Sequence, residues 1–496
     1  MSGARRADLR RILQLAWPVF VGQLAVVGFS TVDTLLVARS SPEDLAALAV
    51  GASAYITVFV GMMGVVLALG PIVGQLFGAG DRAQAGRQLH QAVWIALAMS
   101  ALGALLLLFP QPFLALANAP DDVAGRIRGY LAALAVALPA ALLMQAYRAF
   151  NTAISRPKAV MVLQVSALVA KIPLSALLVF GWPAVGLPPL GVLGCGIATA
   201  VVMWAQAGVA LAVLRRDRFY APFALGGRGL DAPDRRAIGQ QLRLGVPMGL
   251  SILVEVSGFS LMAVFIARLG VTEAAGHQVA ANLAALMFMM PLALASATMT
   301  LVAQRVGARD PEDARRLGWH GLQFGFVLAL GLAAALWLGR EGVAGLYTGD
   351  VAVRAVAVPL LAWVALFHVA DALQAVASFV LRAYRIATLP MLIYAGSLWG
   401  IGLGWLLGRG RRRALAGRAG AGGTDGTHAA ARCRSPAHAS GRRRLKTLPP
   451  PSRARQSTRP PWRSAICRTR ASPRPTPPSR SAWPGRRKKG SKIRSR

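Results

Sequence analysis

Cysteine is nearly missing. Cys195, Cys433 and Cys467 are the only three in 496 residues. Their spacing fits no metal or redox motif, so disulfides are not expected to matter. Acidic side chains are also scarce, 19 against 55 Lys and Arg, and charged residues of both signs make up only 15% of the chain. No GxxxxGK[ST] stretch occurs, which excludes an ATP-binding phosphate loop in this sequence. No zinc signature and no catalytic triad motif is visible. Neither enzymatic activity nor a bound cofactor is expected, and an ion gradient is the default energy source. No cleavable signal peptide is apparent, because the apolar run after MSGARRADLRR is too long for a signal core.

What is plentiful is apolar sequence, at 55% of residues. Long apolar runs recur at approximately 12–38, 46–70, 88–109, 127–150, 160–181, 190–214, 243–268, 276–302, 318–338, 351–382 and 388–408. Each is long enough for a bilayer that needs about 20 residues per helix. Helices are the expected form, since isolated strands leave their backbone unsatisfied in lipid and barrel-type alternation is missing. The fold class is therefore an all-α polytopic membrane protein.

The loops orient it. With the N-terminus inside, inside segments carry 22 Lys and Arg, including Arg148 and Arg382, and outside loops carry six. Cytoplasmic loops collect such residues, so a cytoplasmic N-terminus is expected, in the bacterial cytoplasmic (inner) membrane.

The chain also matches itself at an offset of 229. Pro18 aligns with Pro247, and "VGQLFGAGDRAQAGR" with "VAQRVGARDPEDARR". Further on, "YRAFNTAISRPKAVMV" resembles "LRAYRIATLPMLI". An offset spanning six helices implies two parallel six-helix lobes with binding near their interface. The expected organisation is an N-terminal lobe (1–214), a linker-like cytoplasmic loop (215–242), a C-terminal lobe (243–408) and a tail (409–496).

The repeat calls for twelve spans and the sequence supplies eleven. After residue 408, Arg, Pro, Ser and Gly replace the apolar pattern, with 26 Lys and Arg against the single acid Asp425. A basic tail for anionic lipid or nucleic acid is one reading. A frameshift-like replacement of the last helix is the favoured one, because a strongly basic tail after eleven spans would lie outside, against the loop charges. Disorder is expected in either case.

Three carboxylates fall inside the expected spans: Asp33, Glu255 and Asp371. At helical spacing, Glu255 shares its surroundings with Ser251 and Phe259; Asp371 shares its own with Phe367, His368, Gln374 and Ser378. Small, polar and aromatic neighbours suit a cavity wall more than lipid. The repeat aligns Glu255 with Val26, Asp33 with Met262 and Asp371 with Ala137, so the scaffold repeats and the acids do not. Membrane-depth acids bind protons or, with other oxygens, Na⁺; competition between that ion and a cationic guest is enough for antiport. Gln278 and Asn282, four apart in one helix, are further cavity candidates. Lys171, before Pro173, is read as the partner of an acid, as a snorkelling side chain, or as locally paired at a helix break. Met287, Met289 and Met290 read as core packing.

"LAWPVFVGQLAVVGFSTVDTLLVA", "GQLFGAGD", "GVLGCGIATAVVMW", "VPMGLSILVEVSGFS", "HQVAANLAALMFMMPLALASA" and "VADALQAVASFVLRAY" resemble the multidrug and toxic compound extrusion (MATE) family, NorM-like branch. The resemblance covers residues 10 to 408. It implies a twelve-helix, two-lobe exporter of cationic lipophilic drugs driven by Na⁺ or H⁺. Glu255 and Asp371 match the second-lobe cation site, which would hold Na⁺ if sodium is the coupling ion, and Asp33 matches the first-lobe acid. Phe367 stands where some relatives have Tyr, and the twelfth span is missing. The implied partners are small cationic lipophilic substrates and membrane lipid, with no nucleic acid and a monomeric state. Competing readings are a lipid-linked precursor flippase, a truncated transporter without function, and a membrane-anchored binder acting through its tail.

Overall fold

A computed structural model describes residues 3–403, apart from 118–119, 183–185, 187 and 226–228. The tail 409–496, and with it the reading of that segment, lies outside the described residues.

Among the described residues thirteen α-helices follow one another: α1 (Gly3–Val37), α2 (Pro42–Val66), α3 (Leu69–Gly78), α4 (Arg82–Leu108), α5 (Gln111–Ala117), α6 (Asp121–Ala153), α7 (Pro157–Phe180), α8 (Gly191–Arg216), α9 (Arg235–Ala267), α10 (Val271–Gly307), α11 (Pro311–Tyr347), α12 (Val351–Ala383) and α13 (Thr388–Ala395). A π-helical stretch, Gly396–Leu403, continues α13. Ten helical segments among the described residues are long and apolar enough to cross a membrane, with α2 and α3 counting as one. The eleventh expected span, 388–408, is helical as far as Leu403, and the rest of it lies outside the described residues. Leu102, Val136, Val162, Val327, Trp363 and Leu366 are exposed, as side chains facing lipid must be.

Local sequence sets the helix ends. Asp81 accepts the amide of Gln84 at the start of α4, and Asp310 accepts the amide of Asp313 at the start of α11. Each satisfies an N–H that has no partner within its helix. Before each cap the chain turns through a left-handed residue, Gly80 (φ 84°) or Arg309 (φ 59°). The amides of Asp81 and Asp310 return to the carbonyls of Leu76 and Arg305, closing the preceding helices in the same way. Three boundaries keep a separation of 229: Pro42 with Val271, Gly78 with Gly307, and Arg82 with Pro311.

The repeat is also a contact. α3 packs on α10, and α2 on α9. A Cβ on Gly78 would overlap the Gln304 carbonyl, and a Cβ on Gly307 would overlap the Gln75 carbonyl. Gln75 Nε2 donates to the Ala383 carbonyl (2.8 Å), and Gln304 Nε2 donates to the Ala153 carbonyl (2.7 Å). Glycine lets these backbones meet, as small residues do at membrane helix interfaces.

The largest apolar core joins α2, α4, α6 and α8 around Leu131, Leu134, Leu138 and Phe150. In the second half the core divides into smaller clusters, one around Leu336, Ala357 and Leu361, another around Val302, Leu317 and Ala383. α8 packs on both α6 and α7. At the repeat offset its counterpart would begin at residue 420, outside the described residues.

The segment 215–242 reads as a linker by composition, but part of it is folded against the first half. Tyr220 and Phe223 are buried in a 3-10 turn, Arg218–Phe223. Arg156 bonds Asp217 at 2.7 Å and stacks on Phe219 at 4.2 Å. Trp94 Nε1 donates to the Asp231 carbonyl, and His90 meets the Asp231 carboxylate at 2.9 Å. The polar composition hid two buried aromatic anchors. Asp217 is held below the usual carboxylate range, first by the Phe219 amide and then by Arg156.

Candidate functional site

A cavity of about 400 Å³ opens between the two halves. α1, α2 and α6 supply Gln23, Phe59, Met63, Gln145 and Arg148; α9, α10 and α12 supply Ser251, Glu255, Phe288, Gln374, Ser378 and Arg382. Its size and largely apolar wall with a few converging polar groups suit one drug-sized molecule. Among the described residues Glu255 is the one carboxylate in the lining, and Arg148 and Arg382 are the cations.

Glu255 stands on α9, eight residues after Pro247. Around its carboxylate are Asp371 and Arg382 from α12 and the hydroxyl of Tyr394 from α13. Tyr394 lines the same cavity as Glu255. Arg382 is near without forming a direct ion pair, and it stacks on Phe379 at 4.5 Å. Two neighbouring carboxylates repel, so a positive guest between them is favoured. Oxygens of Glu255, Asp371 and Tyr394 are of the hard kind that Na⁺ or a proton would take.

The residues singled out in the sequence fall into four places. Glu255, Ser251, Gln374 and Ser378 line the cavity, with Gln374 Nε2 donating to Ser378 Oγ at 3.2 Å. Asp371 is half-buried beside Glu255, outside the lining set. Phe259 and Phe367 pack edge to face, centroids 6.5 Å apart, and are exposed. Gln278 and Asn282 also lie on an exposed part of α10, away from the cavity wall. Their shared helical face was readable; which way α10 turns it was not.

Asp33 was expected on a cavity wall, and it sits elsewhere. It is 8% exposed and paired with Lys171, which is fully buried. Lys171 also donates to Thr199, whose hydroxyl donates to the Cys195 carbonyl at 3.0 Å, and its ammonium lies 5.1 Å from the Phe29 ring. The physical reason is adjacency: α1 packs on α7, so a desolvated carboxylate and a desolvated ammonium satisfy each other.

Arg148, Arg382 and Tyr394 are among the lining residues that the sequence did not single out. The two arginines had been counted as loop cations. Both lie inside helices, α6 and α12, and line the cavity. The signal that could have found them is the motif pair itself, since "YRAF" and "LRAY" put them in register.

The MatE family model matches this sequence twice, over residues 18–177 and 247–406. The chain belongs to the MatE family. The two matches begin 229 residues apart, the separation that also relates the helix ends. Among relatives of this MatE protein, the probable multidrug resistance protein NorM of Aromatoleum aromaticum is 43% identical over 396 residues, 79% of this chain and 84% of that protein. The multidrug resistance protein PmpM of Pseudomonas aeruginosa is 37% identical over 81% of this chain and 84% of its own length. In architecture, a mutant form of the Vibrio cholerae MATE transporter VcmN superposes with a TM-score of 0.74 at 20% identity, covering 81% of this chain and 90% of that one. This MatE chain is a polytopic all-α membrane protein.

Proposed function

We propose that this protein is a cation-coupled antiporter in the bacterial cytoplasmic membrane, N-terminus inside, that exports cationic lipophilic compounds in exchange for Na⁺ or H⁺. The observation that carries the reading is Glu255, among the described residues the one acid in the wall of a drug-sized cavity between two repeated halves, with Asp371 near it. The multidrug resistance names of NorM and PmpM support the same class of cargo.

In this reading Glu255 is an exchange point. A cationic substrate sits against the carboxylate with its apolar body on Phe59, Met63 and Phe288. A proton or Na⁺ arriving at Glu255 and Asp371 neutralises the pair, removes the attraction and releases the substrate. Arg382 keeps the empty site from holding excess negative charge. Exchange drives transport only if loaded and empty sites favour different arrangements of the halves. The contacts Gly78–Gln304 and Gly307–Gln75 are the ones that must part when the other arrangement forms. No resident cofactor enters the cycle.

The test is dye efflux from proteoliposomes holding an imposed proton or sodium gradient. Gradient-driven export of a lipophilic cation is expected, and its collapse when both gradients are dissipated. Export that persists without either gradient defeats the coupling.

A further inference from the structure

A groove of about 900 Å³ runs between α1, α7 and α8 in the first half. The helices alternate in direction, so the start of α1, the end of α6, the start of α7 and the end of α8 share one membrane face. The groove changes character with depth from that face. At its mouth are Gln14, Arg156 and Lys158; further along the helices are Trp17, Val162 and Val209. Trp17, Val162 and Val209 are all exposed, so the groove opens sideways onto the surface that faces lipid.

Its charge has one sign. Among the described residues no carboxylate lines the groove. Arg156 is held by Asp217 at 2.7 Å. Lys158 is exposed, with no carboxylate of the described residues within ion-pair distance, and its ammonium lies 5.9 Å from the Trp17 ring. Outside the described residues the chain holds a single acidic side chain, Asp425. Exposed Arg10 and Arg11 lie one turn before Gln14, and exposed Arg215 and Arg216 follow at the end of α8. Tryptophan and lysine together mark the level of lipid headgroups. Basic pockets between membrane helices on the cytoplasmic side bind anionic headgroups. A soluble phosphate would use only the mouth and leave the apolar length of the groove uncovered; an acyl chain covers it.

We propose that this groove holds one anionic phospholipid of the cytoplasmic leaflet, with its phosphate against Lys158 and an acyl chain along Val162 and Val209. The lipid then bridges α1 and α8 across α7. From the exporter reading above the proposal takes only the cytoplasmic N-terminus; it needs no transport.

Trp17 is the reporter. The full chain is reconstituted in phosphatidylcholine vesicles containing increasing fractions of phosphatidylglycerol or phosphatidylcholine brominated on the acyl chains near the headgroup. Quenching of Trp17 is read as the difference between each protein and the same protein carrying Trp17→Phe. In the wild type, brominated phosphatidylglycerol should quench Trp17 at a mole fraction about fivefold lower than brominated phosphatidylcholine does. Lys158→Gln should erase that preference and leave quenching by phosphatidylcholine as it was, which also shows that the variant folds. Lys158→Arg should keep the preference. Equal quenching by the two lipids in the wild type overturns the proposal. So does a preference that survives Lys158→Gln, because the basic tail, present in every variant, then accounts for it. Inorganic phosphate, added against a chloride control of equal ionic strength, should leave the wild-type preference in place; its loss assigns the groove to soluble phosphate and overturns the lipid. Binding is read without transport, so failure of the exporter reading and failure of this one are distinguishable.

Discussion

Lys171 Nζ lies 2.9 Å from Asp33 Oδ1 and 3.0 Å from Oδ2, tying α7 to α1 inside the first half. A fixed cation thus occupies the carboxylate that the sequence placed beside Glu255 in role. Any passing ion must displace Lys171 to reach Asp33, whereas Glu255 faces an open cavity. We therefore assign exchange to Glu255 and Asp371, and to Asp33 a charge-compensated pair. Lys171→Ala should destabilise the protein by about 3–5 kcal/mol, because it strands a buried carboxylate. Asp33→Asn with Lys171→Gln should recover most of the loss. Thermal unfolding in detergent of the two variants decides it; equal stability of Lys171→Ala and wild type would contradict the pairing.

The reciprocal glycines make a second prediction. Gly78→Ala and Gly307→Ala each place a methyl group against the carbonyl of the opposite helix, where a backbone cannot retreat cheaply. Spin labels on cysteines introduced at Ala79 and Ala308 should move apart in either variant. An unchanged distance distribution would show that the contact tolerates a side chain.

A third concerns pH outside the membrane. Asp217 is held below its ordinary value of 3.8 by the Phe219 amide and Arg156. Its folded form therefore favours the ionised carboxylate. The stabilisation is fully present above pH 3.8 and is lost as pH falls through the lower folded value. Asp217→Asn should reduce stability at neutral pH and flatten its acid dependence below pH 4. Parallel acid titrations of variant and wild type would count against the pair.

The scaffold was legible because its signals are local. "GAGD" and "GARD" each spell a left-handed turn followed by an aspartate cap, and helix ends repeat at the same offset as the letters. Glu255 stood out because a carboxylate in an apolar run has few reasons to be there. What could not be read is which spans touch. Lys171 and Asp33 are 138 positions apart, and only the packing of α1 on α7 makes them partners. Gln278 and Asn282 share a face, but the rotation of α10 turns it away from the cavity. Arg148 and Arg382 followed the rule that cations gather in cytoplasmic loops, and that rule concealed two cavity residues. The polar look of 215–242 similarly concealed Tyr220 and Phe223, whose burial depends on a surface built by α4 and α6.

The most direct measurement is gradient-driven dye export by reconstituted Glu255→Gln and Asp371→Asn, set beside dye binding by the same variants. The account predicts that both lose gradient-driven export at least tenfold while remaining folded, with Glu255→Gln also weakening binding of a cationic dye. Export at the wild-type rate in both variants, under the same gradient, would contradict it.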